Sequence, residues 1–425
     1  MKNLALTSPG VRPVFRQQPK AGYPQLRPLY AVPSVAATVV IMAYSGLFGL
    51  WPILLFYALW LPRTFYKGRF ILRLSREMIM PAALGIYSLM SVLWSQYPTI
   101  TARAGLEFLS MLACTFIMAR LVDGRSLRRG LIAGVVIVMA ATLIDGHYGG
   151  DPFTKVYALI GLFGSKNQVG FFAEIGIYAA LLSLFGGDRR AEKFLFALPA
   201  LALCAACLAL SRSATSAISL AAMIFAALGT VFLARLSPRR RVPVFIAGAI
   251  ALLIAAGVAA YMGEQIALLH MMGKDSTLTG RTYLWAQGAA IGLKDPMLGH
   301  GFYAFWVPGE PDAERLWYHF GIYNRSGFHF HDTFIHSFVD LGIVGTLTIT
   351  YLIAANCVKS YRYAIREGID AAALLFVGLA AMFAVRAVVE VDFWGPFGIG
   401  QLLFYAIGPY LAARPPMSKQ TETVR

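Results

Sequence analysis

Six of the seven histidines lie in one polar stretch, residues 262–338, which interrupts a chain made otherwise of apolar runs. They are His270, His300, His319, His329, His331 and His336. The same stretch contains Arg281, Arg315 and Arg325. Imidazole gains or loses a proton near neutral pH, and guanidinium binds phosphate and carboxylate groups. The stretch is therefore the candidate site for acid–base chemistry on an anionic substrate.

The segment 329–336 predicts a general base. If a helix begins near Asp332, then Asp332, His336 and Asp340 share one face at intervals of four, and His329 and His331 precede the helix. A histidine beside a carboxylate can act as a base and is held in one tautomer by that carboxylate. Two other interpretations stay open. The histidines could bind a metal, although their spacing fits no common closed site, or they could be polar residues at a membrane interface.

Two arginines lie where an anion would stabilise them. Arg281 is near the start of a predicted amphipathic helix that ends before Lys294, so it lies where backbone amides favour an anion. Arg212 lies between two apolar runs with almost no loop, at or just below the outer membrane surface. An unpaired guanidinium is costly there, and its Ser and Thr neighbours could donate hydrogen bonds to the same anion. A structural ion pair with Glu174 is the alternative for Arg212.

Three further groups each allow two interpretations. Lys166, at the start of an apolar run, could hold a phosphate or could anchor its helix at the interface. The aromatic run that ends at Trp306 could stack on a sugar or could pack within the protein. Arg386, Glu390 and Asp392 could contact an acceptor or could pair with one another.

The elements that must position these residues are membrane helices. The chain has 425 residues, is 58% hydrophobic and 14% charged, and has a mean hydropathy of +0.63, which is typical of polytopic membrane proteins. All four cysteines lie in apolar runs and predict neither a disulfide framework nor a zinc ribbon. Twelve membrane helices are predicted, near 31–46, 48–62, 78–94, 104–120, 130–145, 168–186, 194–210, 214–234, 243–261, 339–358, 371–389 and 395–412.

The basic residues predict the orientation. Segments on the amino-terminal side of the membrane hold 27 of the 37 Lys and Arg residues against 7 acidic residues, and the remainder holds 10 against 14. The positive-inside rule then places both termini in the cytoplasm, including predicted disordered tails at 1–30 and 413–425. Helices occupy 31–261 and 339–412, and the loop 262–338 lies outside the cytoplasm. Because the charge is spread over short loops, it does not support a nucleic-acid partner.

Several short motifs occur together in a defined order. They are Gly164-Ser165-Lys166-Asn167 ahead of a membrane helix, Ser211-Arg212, Gly280-Arg281 with Trp285, Pro296-Met297-Leu298-Gly299-x-Gly301 with Phe305-Trp306, and His329-x-His331-Asp332 followed by Asp340-Leu341-Gly342-Ile343-Val344-Gly345. Together with the topology they cover about residues 35–410. The combination resembles the O-antigen ligase and polymerase superfamily, and within it is most similar to exopolysaccharide polymerases of the succinoglycan type.

The resemblance implies an all-α polytopic protein of the bacterial inner membrane that acts as a metal-independent glycosyltransferase of the GT-C type, without a cofactor. It would take a glycan from an undecaprenyl-diphosphate donor on the periplasmic side and polymerise such repeat units into exopolysaccharide. Arg212 and Arg281 would hold the donor diphosphate, and His331 would be the catalytic histidine. Lys166, in a motif that matches a family pattern, is the third candidate for the diphosphate. The following position, often Asn in the family, is Asp332 here, so His331 could act alone or be charge-coupled to Asp332.

Other residues of the loop are candidates for substrate contacts, namely His329, His336, His300, Arg325 and Trp306. The expected partners are the lipid-linked glycan, the bilayer, a chain-length regulator and export proteins. One alternative function is ligation of a finished glycan to another acceptor. A transporter of lipid-linked glycan is a second alternative, but it would need charged residues deep in several spans and repeated halves. A structural assembly subunit is the third.

Overall fold

Helices account for most of the structure. The computed structural model describes residues 25–65, 75–150, 157–186, 188–244, 280–325 and 327–413. Within these ranges the helices are α1 (Pro28–Ala43), α2 (Trp51–Trp60), α3 (Arg76–Met90), α4 (Pro98–Leu121), α5 (Gly124–Asp145), α6 (Lys166–Phe185), α7 (Arg190–Ser211), α8 (Ala214–Arg235), α9 (Arg281–Gly292), α10 (Pro311–His319), α11 (Thr333–Glu367), α12 (Ala371–Arg386) and α13 (Ile399–Ala412).

Many of these helices are apolar. Among the described residues, α4 to α8 and α11 are each long and apolar enough to cross a membrane, and α1, α12 and α13 are shorter apolar helices. The protein is therefore a predominantly helical, polytopic membrane protein, as its composition predicts. The predicted spans coincide with helices, except that 243–261 lies, beyond its first two residues, outside the described ranges. The predicted tails and the first part of the polar loop also fall outside them.

The second predicted span is short. α2 has 10 residues and rises about 15 Å, half of the roughly 30 Å hydrocarbon core, so this helix alone does not cross it. It runs back alongside α1, where Trp60 Nε1 donates to Thr38 Oγ1 at 2.9 Å and Arg63 Nη2 donates to Ser34 Oγ at 2.7 Å. Such hydrogen bonds satisfy polar groups between two apolar helices.

A small β-hairpin, which the sequence does not predict, lies between α5 and α6. Its strands are β1 (Tyr148–Gly150) and β2 (Tyr157–Leu159), paired antiparallel with Gly149 opposite Ala158. The strands have three residues each, too short to show the alternation from which a strand is inferred.

α11 is broken within its first three turns, at Leu341 and Gly342. Gly342 has φ +62°, and a Cβ there would lie 2.4 Å from the carbonyl carbon of Met297, so the break requires glycine. The loop 296–301 bonds to the interrupted backbone: His300 N–H donates to Val339 O at 2.9 Å, and Gly301 N–H donates to Asp340 O at 2.9 Å. The helix begins at Thr333 with Asp332 as its cap, as the sequence pattern suggests, so the predicted span 339–358 continues a helix whose first turns belong to the polar loop.

The polar loop has its own hydrophobic core. The buried residues that form it come from α9, α10, the 305 region and the segment before α11, and include Leu284, Phe305, Leu316, Trp317 and Phe330. Phe330 is fully buried and separates His329 from His331 in sequence. Burial of this phenyl ring stabilises the loop by about 2 kcal/mol or more and anchors the histidine segment on both sides.

Candidate active site

The Glu390 carboxylate is the centre of a polar cluster where several helix ends meet. Its Oε1 accepts a hydrogen bond from Asn167 Nδ2 at 2.7 Å and lies 3.2 Å from Arg281 Nη2. Its Oε2 lies 3.3 Å from His331 Nδ1. The side chain is only 4% exposed, so the charge is shielded from water and depends on these partners. Arg281 and His331, both predicted for the site, therefore share one carboxylate.

Backbone hydrogen bonds fix Glu390 between two helices. α12 ends at Arg386, and the chain then turns so that the Glu390 N–H donates to Arg386 O at 2.7 Å. Thr333, the first residue of α11, donates its N–H to Ala387 O at 2.8 Å and its hydroxyl to Glu390 O at 2.8 Å. The start of α11, immediately after His331, is thus tied to the segment that carries Glu390.

His331 has a left-handed backbone with φ +52°, which is uncommon for a residue other than glycine. Its N–H donates to His329 Nδ1 at 3.1 Å. When its own Nδ1–H faces the ionised Glu390, the lone pair of a neutral imidazole is on Nε2. The side chain is 24% exposed, so it remains accessible. This arrangement suits a general base that is oriented through one ring nitrogen and reacts through the other.

Asp332 does not orient His331. Its carboxylate caps α11, accepting from the Ile335 N–H at 2.8 Å. Burial raises the pKa of Asp332, and the backbone hydrogen bond opposes that shift. The expected coupling of His331 to Asp332 is replaced by the contact with Glu390, because the cap turns the aspartate toward the amides of its own helix.

Arg281 opens α9 directly after Gly280, which has φ +78°. A Cβ at Gly280 would lie 2.9 Å from Phe320 Cε1, so a larger residue would displace the start of the helix. The first amides of a helix lack internal partners and favour an anion. Arg281 lies at such a helix start, as the sequence predicts. Its guanidinium is 18% exposed and offers five N–H donors, of which the carboxylate of Glu390 engages one nitrogen.

Arg212 and Lys166 each precede a residue that is hydrogen-bonded into this cluster, Ser213 and Asn167 respectively. Ser213 Oγ donates to Asn167 Oδ1 at 3.1 Å, which joins the α7–α8 junction to the start of α6. Arg212 ends α7 in a left-handed conformation with φ +48° and is exposed, and it forms no ion pair with any residue in the described ranges. Lys166 is the first residue of α6. Gly170 permits this approach, because a Cβ there would lie 2.5 Å from Ser216 Oγ.

A buried ion-pair network adjoins the cluster through the backbone hydrogen bond between Glu390 and Arg386. Arg386 is completely buried and binds the Asp392 carboxylate through Nε at 2.6 Å and Nη2 at 3.2 Å. Its Nη1 donates to Glu174 Oε1 at 2.9 Å and to Ser216 Oγ at 3.0 Å. The Ser219 hydroxyl also bonds to Glu174. A guanidinium with several acceptors in ideal range can compensate its desolvation, whereas the loss of one partner would leave a buried charge.

This network answers two questions that the sequence leaves open. Glu174 pairs with Arg386 and not with Arg212. Arg386 and Asp392 pair with each other, while Glu390 contacts Arg281 and His331 in the polar cluster. Burial raises the pKa of Asp392, although the charge of Arg386 opposes that shift.

Two pKa shifts define the charges in the cluster. Burial raises the pKa of Glu390, but the hydrogen bond and charge of His331 and the charge of Arg281 outweigh it and bring the pKa to about 2. Glu390 is therefore ionised throughout the neutral range. Burial lowers the pKa of His329 well below its ordinary value, and the neighbouring positive groups lower it further. His329 is therefore neutral.

His336 and Asp340 form a separate buried pair on α11. His336 Nε2 lies 3.7 Å from Asp340 Oδ2, and Asp340 Oδ2 accepts from Trp394 Nε1 at 2.9 Å and from the Tyr303 N–H at 3.3 Å. The interval of four that the sequence predicts is present, and it produces a contact inside the protein. His336 is 5% exposed, and its role as a substrate contact remains a prediction.

Three other residues that are predicted to contact substrate also make contacts within the protein. His300 Nδ1 lies 3.2 Å from Val339 O, where the loop meets the broken helix. Trp306 packs in the aromatic core of the loop, edge-on to Phe305 at 4.9 Å, which favours packing over a sugar-stacking wall. Arg325 pairs with Glu314 at 2.9 Å.

One group could hold a metal ion. The side chains of His329, His331 and Glu390, which we call the His-His-Glu group, offer ligand atoms within 4.8 Å of one another. The sequence shows only the first two, because the third lies 59 residues further along the chain. A metal bound through His329 Nδ1 would displace the hydrogen bond from the His331 N–H, and a metal bound through either nitrogen would face the charge of Arg281, 3.2 Å from the shared carboxylate.

Glu390 and Asn167 are the site residues whose partners the sequence does not predict, although Glu390 is a candidate for acceptor contact or ion pairing and Asn167 belongs to a motif. Glu390 is one of three charged residues in a short segment between apolar runs, and spacing alone does not choose among their partners. Asn167 is part of the Gly164–Asn167 motif, in which Lys166 is the only charged residue and therefore the more obvious candidate for binding an anion. A signal was present in both cases, since polar groups close to apolar spans are costly unless they are used.

Comparison with known proteins gives two matches. A family model described as O-Antigen ligase matches residues 197–350, which include Arg212, Arg281 and His331. The exopolysaccharide production protein ExoQ of Rhizobium meliloti (strain 1021) is 37% identical over 382 residues, covering 90% of this chain and 88% of that relative.

Proposed function

The chain belongs to the family of membrane exopolysaccharide polymerases and O-antigen ligases, and from this and the site geometry we propose that it polymerises undecaprenyl-diphosphate-linked repeat units into exopolysaccharide. The observation that carries the proposal is the convergence of Arg281 and His331 on the Glu390 carboxylate. It combines an anion-binding group and a base in one cluster, which glycosyl transfer from a lipid diphosphate requires. The name of the 37% identical relative supports exopolysaccharide as the product.

The proposed reaction balances as a single displacement. The acceptor hydroxyl oxygen attacks the anomeric carbon of the donor and loses its proton to His331 Nε2. The bond from the anomeric carbon to the diphosphate oxygen breaks, and its electron pair stays on the diphosphate. Glu390 then faces an imidazolium, whose charge it stabilises.

Fixed cations can do the work that a divalent metal does in other phosphate chemistry. Arg281 lies at a helix amino terminus, and Arg212 is exposed at the neighbouring helix junction. Guanidinium stays charged in a partly apolar site and binds phosphate oxygens through two parallel hydrogen bonds. We propose that these arginines, with Lys166, hold the diphosphate and stabilise the charge that grows as it leaves, so that transfer is metal-independent.

The charge pattern supports a site on the outer face of the inner membrane. The loop 262–338 lies on the side opposite to the basic segments, which the positive-inside rule places in the cytoplasm. Lipid-linked repeat units that face the periplasm would then enter the cluster from the outer leaflet. Labelling of a single cysteine introduced at Tyr323, which is 85% exposed, by a membrane-impermeant reagent in intact cells tests this orientation.

Reconstituted protein supplied with purified lipid-linked oligosaccharide tests the function. The expected product is a ladder of glycans that differ by one repeat unit. Arg281→Ala and His331→Ala are each expected to lower kcat by about 100-fold or more. Arg315→Ala is the matched control, because Arg315 lies on the same loop but is 55% exposed and pairs only with Asp312 and Gln287 among the described residues. Full activity of both Arg212→Ala and His331→Ala would rule out the assigned roles.

Ligation is the second candidate, and the description of the matching family model supports it. The same cluster would serve, since a ligase and a polymerase differ in the acceptor and not in the bond that breaks. Product sizing separates them. A single addition of the glycan to a different acceptor would indicate a ligase, whereas a ladder indicates a polymerase.

A further inference from the structure

We infer that His329 is a positioning residue, whose ring nitrogen holds the backbone of His331 in the strained conformation that points its imidazole into the site. The inference rests on the proposed role of His331 as the base. It assigns His329 a function other than contact with substrate or metal.

The carrying observation is a hydrogen bond between two histidines in one short segment. The His331 N–H donates to His329 Nδ1 at 3.1 Å. His331 has φ +52°, a conformation that persists in a non-glycine residue only when its surroundings enforce it. Two residues after His331, the backbone is also held, because the Thr333 N–H donates to Ala387 O at 2.8 Å. His331 is thus fixed on both sides, by His329 before it and Thr333 after it.

The rings of the two histidines are also in contact. Their centroids are 4.1 Å apart with the planes tilted by 52°, so His329 covers one side of the His331 imidazole. Phe328 packs edge-on to His331 at 6.2 Å. Rotation of the His331 ring away from Glu390 would have to displace these neighbours. The His329 ring therefore restricts the side chain of His331 as well as its backbone.

The role requires one protonation state of His329. Because Nδ1 accepts a hydrogen bond, it carries no proton, and the ring is the neutral tautomer with its proton on Nε2. A protonated His329 would have N–H groups on both nitrogens and could not accept. The hydrogen bond from the His331 N–H therefore selects the tautomer of His329.

Substitution of His329 by asparagine or by glutamine distinguishes a role of Nδ1 in positioning His331 from a role of Nε2 in contacting a substrate. The Asn Oδ1 atom is as many bonds from the backbone as His Nδ1, so His329→Asn keeps an acceptor for the His331 N–H. The Gln amide reaches the position of Nε2 instead. His329→Asn is expected to retain kcat within about tenfold, whereas His329→Gln and His329→Leu are expected to lose roughly 100-fold, since misplacement of a catalytic group by about 1 Å costs this much. The donor KM stays within a factor of about three in all three variants, because the diphosphate ligands are untouched.

The assay is polymerisation by the full-length protein in liposomes, with His319→Asn and His319→Leu as matched controls. His319 stacks on Tyr283 at 4.5 Å and, among the described residues, makes no direct contact with Glu390, Arg281 or His331. A higher kcat for His329→Gln than for His329→Asn would show that His329 acts through Nε2 on a substrate and would overturn the inference. Wild-type activity in His329→Leu would overturn it as well.

A measurement that does not need turnover separates this inference from the proposed function. In protein labelled with ¹⁵N at the histidine rings, His329 is expected to show the neutral Nε2–H tautomer at neutral pH, with the signal assigned by its loss in His329→Asn. An Nδ1–H tautomer of His329 would refute the positioning role even if transfer is observed. The expected tautomer in a protein that forms no glycosidic bond would refute only the proposed function.

Discussion

Replacement of Glu390 by glutamine is expected to abolish most activity while preserving the fold. The change keeps the shape of the side chain and an oxygen that can still accept from Asn167 at 2.7 Å and from Arg281 at 3.2 Å. The new amide N–H₂ then faces His331 Nδ1 at the position where an acceptor lies 3.3 Å away in the native protein. His331 can satisfy this donor only by accepting through Nδ1, which places its proton on Nε2 and removes the lone pair needed for catalysis.

The size of the effect follows from the tautomer. A base held in the wrong tautomer by an Asp-to-Asn change loses about 10⁴ in kcat in serine proteases, so a loss of roughly 10³ to 10⁴ is expected here, or about 4 to 5.5 kcal/mol of transition-state stabilisation. The donor KM is expected to be unchanged or lower, because the removal of a negative charge beside Arg281 favours the diphosphate. The loss of stability stays near about 1–3 kcal/mol, since two of the three partners keep their hydrogen bonds.

Steady-state kinetics of the reconstituted protein measure both parameters, and thermal unfolding in detergent checks the fold. Glu310→Gln is the matched control, because Glu310 is also a buried carboxylate, 6% exposed, but lies in the polar loop and contacts Tyr97 at 3.5 Å and not His331. The residual activity also gives a pH signature. Since the pKa of Glu390 is about 2, the carboxylate is ionised at every working pH, and its removal shifts the acid limb of the pH–rate profile to lower pH. A Glu390→Gln protein with kcat within tenfold of wild type would refute the assignment of Glu390 as the orienting group.

Three further perturbations test the surroundings of the site. Arg386→Met is expected to destabilise the protein by about 3–5 kcal/mol, because it leaves two buried carboxylates unpaired, and addition of Asp392→Asn should restore part of the lost thermal stability. Gly342→Ala is expected to lower the free energy of unfolding by at least about 2 kcal/mol, since its Cβ would meet the backbone of the 296–301 loop. Gly368→Ala is the control, because Gly368 has φ +104° and open space around it, so that substitution introduces backbone strain only. Comparable melting temperatures of the two variants would refute this packing argument. Chelators are expected to leave transfer unchanged while added Zn²⁺ inhibits it by occupying the His-His-Glu group, and activity that is lost on chelation and restored by metal would contradict a metal-independent reaction.

The helices could be predicted from the sequence because the signal for a membrane helix is local. α6 begins at Lys166, two residues from the predicted start, and α8 coincides with the predicted 214–234 within one residue. The break in α11 could not be predicted in the same way. Leu341 and Gly342 leave helical geometry because the 296–301 loop supplies hydrogen bonds to the interrupted backbone, a contact between segments about 40 residues apart that no local window contains.

The site was predictable in its residue types but not in its pairings. Arg281 and His331 stand out because charged and titratable groups beside apolar spans need a purpose. The sequence predicts that Asp332 caps a helix and leaves open whether it is also coupled to His331; the structure shows the cap on the Ile335 N–H. The orienting carboxylate comes from Glu390, and only the fold brings it within 3.3 Å.

In the proposed site, a carboxylate beside the donor diphosphate would repel it unless the carboxylate charge were neutralised by other partners. Glu390 is 4% exposed and uses one oxygen for Arg281 and Asn167 and the other for His331, so its charge is directed inward. The same guanidinium has further N–H donors with which to meet a phosphate, and Arg212 brings a second cation that pairs with no described residue. In the proposed transfer the proton moves to His331 and the negative charge moves to the departing diphosphate. Glu390 then balances the first change while the arginines balance the second, so each charge that appears meets a group of opposite sign already in place.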